Sequence, residues 1–240
     1  MPNMPPSVKA TTFSIVAQDT KTRLVGVAVA TKVPAVGALC PFARYGVGAV
    51  VTQAWTNPYL APATLDALAA GKAPGDSLEA ALAADPARSL RQVGVVSVDG
   101  RAAAHTGDDT DPWRGHKTGD GYAVQGNMLT GIEVLEAMEA AFLRRPEKPL
   151  AARLLAALEA GQAAGGDRRG RQSAAVLVPG PEIYPLVDLR VDEHRDPVRE
   201  LRRVYEVARR ELFPSLQAMP TRDNPRGDIA KLRHLLAAKD

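Results

Sequence analysis

Two β-rich stretches joined by an Asp-Gly pair, Arg91–Val98 (RQVGVVSV) and Arg101–His105 (RAAAH) around Asp99-Gly100, constrain this chain most. Asp-Gly supplies the positive φ of a type I′ turn, so the two stretches form an antiparallel hairpin. A hairpin cannot bury one face alone and needs further strands or helices over it. The chain supplies both. Thr12–Ala17 (TFSIVA) and Leu24–Ala30 (LVGVAVA) flank a polar turn as a second hairpin, and Val47–Thr52 (VGAVVT), Tyr122–Gln125 (YAVQ), Ser173–Val178 and Ile183–Val191 have strand composition. Between them lie paired helical segments: Thr56 or Asn57 caps one that has Pro58 in its first turn and runs to about Ala70, and Pro74–Ala84 is the next. Ile132–Leu143 and Pro149–Ala160 form a second pair. Strand runs alternating with helix pairs predict an α+β fold in which two helix layers enclose mainly antiparallel sheets. Val33–Phe42, broken by Pro34, Gly37 and Pro41, reads as a loop or irregular edge, and Thr106–Gly121 as a polar loop.

With 240 residues, 45% of them hydrophobic, the chain can bury the core of one domain. A formal charge of +3 with 5% aromatics gives no base-stacking set and no concentrated basic face, which argues against nucleic acid. The single cysteine, Cys40, excludes an internal disulfide and suggests a cytoplasmic chain with Cys40 as a small core residue. No run of eighteen apolar residues and no apolar stretch in residues 1–11 argue against a membrane span and a secretion signal. In Pro197–Leu212 the residues Leu201, Val204, Tyr205, Ala208 and Leu212 share one stripe, which packs on the chain's own core or across a twofold interface, so a homodimer is expected. Residues 213–240 are expected to be an arm.

Chemistry concentrates in Gly161–Val178 (GQAAGGDRRGRQSAAVLV), where glycines and the charged set Asp167, Arg168, Arg169 and Arg171 precede an apolar strand. An Asp opening such a turn accepts several N–H bonds and pairs with arginine; a helix-to-strand connection with a solvated basic rim is the alternative. Arg168 and Arg171 can hold an anionic group. The loop with His105, Asp108, Asp109, Asp111 and His116 has metal-ligand residue types at spacings that fit no EF-hand or zinc pattern, so no metal is assigned.

Taken together, TFSIVAQD, VGVAVATK, PAVGALCPFARYGVGAV, QVGVVSVDGRAAAHTG, GYAVQGNML and GGDRRGRQSAAVLV resemble the DUF1028 family of prokaryotic proteins, from about Thr12 to about Val198. The resemblance implies the Ntn-hydrolase fold, a four-layer αββα sandwich of two mainly antiparallel sheets. It implies amide hydrolysis by an N-terminal nucleophile without a cofactor, acting on a small-molecule substrate. Thr12 resembles that nucleophile, with Lys32, Asp167 and Ser173 around its amine; Gln53, Gln125, Gly126 and Asn127 resemble oxyanion or substrate contacts, joined by His105, Arg168 and Arg171. Thr12 is not the first residue, so this chemistry requires removal of residues 1–11 as a leader. A non-catalytic binding or scaffold protein on the same fold and a metal-assisted hydrolase are the other readings.

Overall fold

The computed structural model describes residues 12–237, so the proposed leader, residues 1–11, lies outside them. A six-stranded antiparallel sheet contains β1 (Thr12–Gln18), β2 (Val25–Thr31), β7 (Gly115–Gly119), β8 (Tyr122–Asn127), β9 (Ser173–Val178) and β10 (Val187–Val191), in the order β10-β9-β2-β1-β8-β7. A four-stranded antiparallel sheet orders β3 (Pro41–Arg44), β4 (Gly48–Ala54), β5 (Arg91–Ser97) and β6 (Ala102–Thr106) in sequence. β1 and β9 share one sheet, on either side of β2.

Side chains alternate across a strand, and this period of two sorts the core into layers. Phe13, Ile15 and Ala17 of β1 face α3 (Glu133–Leu143) and α4 (Leu150–Ala163), packing with Leu135, Met138, Leu154 and Leu158. Val16 points the other way and meets Val27, Val29, Ala49, Val51 and Val96 between the sheets. Val50, Val93 and Val95 face α1 (Leu60–Ala69) and α2 (Pro74–Ala83) through Leu60, Leu65, Leu78 and Leu82. Cys40 lies in the inter-sheet layer, where burial pushes its thiol up to about 12; it is a core residue.

α5 (Pro197–Glu211) carries the predicted stripe into the chain's own core: Leu201, Tyr205 and Ala208 are buried beside β9, β10 and α4. Leu212, at its end, stays exposed. The predicted arm contains two short helices, α6 (Phe213–Leu216) and α7 (Ile229–Ala237). Among the described residues no helix is long and apolar enough to cross a membrane.

Three local expectations need correction. Within 106–121, Gly115–Gly119 pairs as edge strand β7; its glycines and alternating polar residues hide it from a composition reading. Of Val33–Phe42, read as a loop or irregular edge, Pro41 and Phe42 open the regular strand β3, which pairs with β4 at the sheet edge, where a proline costs no ladder bond. The Asp99-Gly100 turn is not type I′, because only Gly100 has positive φ, at 88°. The Gly100 N–H bonds to the Ser97 carbonyl at 3.0 Å and the Ser97 N–H to Arg101 at 2.9 Å, a type I turn closed by a glycine bulge. Gly100→Ala is expected to cost about 1–2 kcal/mol, the penalty of placing Cβ in the left-handed region. Urea denaturation checks it, and a change below a few tenths of a kcal/mol contradicts the strain argument.

Candidate active site

The inter-sheet layer changes character toward one end. By the same alternation that buries Val16, the residues Thr12 and Ser14 face the opposite sheet, as do Thr31, Gln125, Asn127 and Ser173 on neighbouring strands and Gln53 and Gln92 across the gap. All eight are at most 2% exposed. An apolar sandwich tolerates such a cluster only when its groups satisfy one another. Ser14 donates to Gln53 Oε1 at 2.6 Å and accepts from Gln125 Nε2 at 2.6 Å. Gln53 Nε2 donates to Gln92 Oε1 at 2.8 Å and to the Thr12 carbonyl at 3.2 Å. Asn127 Nδ2 donates to the same Gln92 oxygen at 2.9 Å.

Gln92 thereby ties the sheets together, since its Nε2 also reaches the Gly126 carbonyl at 2.8 Å and Thr106 Oγ1 at 2.9 Å. Thr106 meets His116 Nδ1 at 2.9 Å. Burial, and secondarily His105, hold the His116 imidazole below its ordinary pKa. Gln125 Oε1 is buried without a hydrogen-bond partner among the described residues. It occupies space that a side chain at residue 94 would fill, since a Cβ on Gly94 would stand 2.1 Å from it.

Thr12 sits at this polar end, paired in register with Thr31 and Asn127, its Oγ1 3.3 Å from Thr31 Oγ1. The next residue after Thr31 delivers Asp167: the Lys32 N–H donates to Asp167 Oδ2 at 2.9 Å. Asp167 also accepts the Arg169 N–H at 2.9 Å and pairs with the Arg169 guanidinium at 3.2 Å. Arg169, not Arg168 or Arg171, faces the aspartate. The loop is stitched beside β8 by a bridge between Asp167 and Leu129 and by the Arg168 N–H bonding to the Met128 carbonyl at 3.1 Å.

Of the other residues singled out, Lys32 runs its stem past Gly170, with Cδ 3.7 Å from where a Cβ on that glycine would stand. Ser173 is in register with Thr31, but its hydroxyl donates to the Val33 carbonyl at 2.5 Å and accepts from the Val36 N–H at 3.2 Å, which fixes the turn after β2. Gly126 lies in the β1–β8 ladder opposite Phe13. His105 stands apart on β6, bonding the Arg88 carbonyl at 3.0 Å. Arg168 is exposed, and Arg171 pairs with Asp196 at 3.1 Å on the surface. Among the described residues no three His, Cys, Asp or Glu side chains gather as a metal site, so His105, Asp108, Asp109, Asp111 and His116 do not converge.

Ser14 and Gln92 escaped the sequence reading. Each is a polar residue at an inward position of an apolar strand, and that break in alternation was the available signal. Backbone strain marks the same end. Of the four non-glycine residues with positive φ among the described residues, Ala54 (66°) follows Gln53, Met128 (47°) follows Asn127, and Ala35 (55°) lies in the turn held by Ser173. Such residues cost roughly 1–3 kcal/mol each and cluster at functional sites.

A protein-family model described as a family of unknown function, DUF1028, matches residues 12–201. The chain belongs to the DUF1028 family. Its polar end and the strands that carry it fall wholly within the matched span. The DUF1028 chain is similar to the crystal structure of a Silicibacter pomeroyi protein assigned to the same family, with 32% identity and a TM-score of 0.82 over 90% of this chain and 98% of the other. Anbu, the ancestral beta-subunit from Yersinia bercovieri, is similar at 11% identity with a TM-score of 0.36, covering 84% of this chain and 96% of its own. No curated protein matches the DUF1028 chain.

Proposed function

We propose that this DUF1028 chain is an amidohydrolase of the N-terminal nucleophile type on an Ntn-hydrolase-like αββα sandwich, with Thr12 as nucleophile after cleavage of the bond to Thr11. The observation that carries this reading is the placement of Thr12 at the polar end of an otherwise apolar inter-sheet layer, with the Gln53 amide on its carbonyl and Asp167 bound to the residue after its cross-strand partner. A free threonine amine, with a pKa near ~8, is matched to accepting the hydroxyl proton at neutral pH. The Thr12 oxygen then attacks the acyl carbon, the C–N bond breaks, and the departing amine takes the proton. Water hydrolyses the resulting ester and returns the hydroxyl. Asp167 holds the chain at Lys32, and Lys32 supplies positive charge at the end of β2. Gln125 and Asn127 act with Gln53 as holders of the layer, and His105 and Arg171 lie outside the site.

A second reading, a binding protein on the same scaffold, has its own support: the hydrogen bonds of Ser173 are spent on backbone and Asp167 is paired to Arg169. One experiment separates the two. The full chain and a chain beginning at Thr12 are incubated with small amides, ureides and acyl amino acids, with amine release followed and intact mass recorded. The hydrolase reading expects activity from the chain beginning at Thr12, and from the full chain only in proportion to loss of residues 1–11. Inactivity of both across the panel favours the binding protein.

A further inference from the structure

Away from the Thr12 end, the helix-covered face of the six-stranded sheet opens into an apolar chamber of about 430 Å³ lined by Leu24, Leu150, Val178, Leu186, Phe213 and Leu216. That volume is in the usual range for small-ligand sites, about 300–1,000 Å³. Val178 stands at the end of β9 opposite Ser173, and five residue steps at ~3.3 Å each separate these two ends by roughly 17 Å; Leu24, just before β2, is farther still from Thr31 along its strand. Beside it lies a second chamber of about 330 Å³ that shares Pro149, Tyr205 and Arg209 with the first.

The second chamber has the opposite character. Arg145, Lys148, Arg153, Arg202 and Arg209 line it against one acid, Glu206. Arg153 is committed to buried Asp19 at 3.3 Å, and Arg202 to Glu159 at 2.8 Å. The remaining three are available. Lys148 has no ion pair among the described residues, and the pairs Arg145–Glu147 and Arg209–Glu206 are largely exposed, where such pairs hold little energy against a competing carboxylate. At the junction Tyr205 is 3% exposed, and its hydroxyl makes no hydrogen bond to any described residue. Tyr205 lines both chambers, and its hydroxyl is not among the buried atoms left without a partner, so the oxygen is open to a ligand there.

We propose that this face binds a medium-chain acyl anion, its alkyl chain in the apolar chamber and its carboxylate at Lys148 and Arg209, hydrogen-bonded by the Tyr205 hydroxyl. The site is separate from Thr12 and does not depend on the hydrolase reading.

Calorimetric titration of the full chain with decanoate, against decanol as the uncharged control, tests it. Saturable one-to-one binding of decanoate is expected. Tyr205→Phe weakens decanoate about tenfold, as for loss of a hydrogen bond to a charged group. The double variant Lys148→Glu, Arg209→Glu weakens decanoate further while leaving decanol unchanged. Leu186→Trp, which fills the apolar chamber from a half-exposed position, removes both. Variants are compared at equal thermal midpoints, with Leu186→Met as the volume-conserving replacement if Leu186→Trp fails to fold; Leu186→Met retains binding. Absence of saturable decanoate binding to the unaltered chain, or affinities indifferent to the charge and cavity changes, overturns the proposal.

Discussion

Replacing Thr12 by alanine is expected to abolish amide hydrolysis, by at least about 10⁴-fold, while the fold persists. Loss of a nucleophile removes the covalent route, and the residual rate comes from binding and polarisation alone. The structural cost is small. The Thr12 hydroxyl meets Thr31 at 3.3 Å, and one hydrogen bond contributes about 0.5–1.5 kcal/mol net. The Gln53 bond to Thr12 is to the main-chain carbonyl and survives the substitution. A circular dichroism spectrum and thermal midpoint near those of the unaltered chain, together with lost amine release, are the expected pair of results. If cleavage before Thr12 is self-catalysed, the same variant retains residues 1–11, which intact mass reads directly. Hydrolysis that survives Thr12→Ala sinks the N-terminal nucleophile reading.

The largest expected loss of stability comes from Arg91→Met. Arg91 bonds Asp85 through two nitrogens, at 2.8 and 3.2 Å, and holds the Trp55 carbonyl at 2.5 Å, with both charged side chains at most 9% exposed. Removing one partner of a buried pair strands the other charge, which costs about 3–5 kcal/mol. The Asn57 amide at 2.8 Å remains on Asp85 but leaves its charge unneutralised.

The pH dependence follows with a definite sign. The Arg91 hydrogen bonds, opposed by burial and aided by Asn57, lower the Asp85 carboxyl from 3.8 to about 2. A carboxyl depressed by folding contributes stability above its unfolded pKa and loses it as pH falls through the folded value. The unaltered chain therefore loses this contribution between pH 3.8 and about 2. Arg91→Met loses less over that window, so the gap between the two narrows on acidification. Urea midpoints at a series of pH values measure it, and a gap that is independent of pH refutes the pairing argument. Arg91 also links this pair to the site, because Trp55 follows Ala54 and Gln53.

Much of the scaffold was legible because strand alternation and helix periodicity are local. TFSIVA, VGVAVA, RQVGVV and SAAVLV announce themselves through β-branched and small residues, and the paired helices through apolar spacing. β7 was not legible, since GHKTG pairs only because β8 offers it an edge. The stripe on α5 showed an apolar face but not its partner; burial of Leu201 and Tyr205 against α4 and β10 settled that for the core.

For the site, residue types alone marked the turn of Asp167 and its neighbouring arginines, whereas Thr12, Gln53 and Asn127 stood out through the resemblance to the DUF1028 family. Residue types also gave Arg168 and Arg171 to an anion, and the resemblance gave Ser173 to the nucleophile's surroundings. Only the tertiary structure turned Arg169 toward Asp167, committed Ser173 to the turn after β2, and recruited Ser14 and Gln92 into one buried hydrogen-bonded layer. The physical reason is directional. Apolar burial is read from sequence because it needs only the correct face, whereas a buried amide or carboxylate needs a partner at hydrogen-bond distance, and that partner here lies on the opposite sheet or more than a hundred residues away.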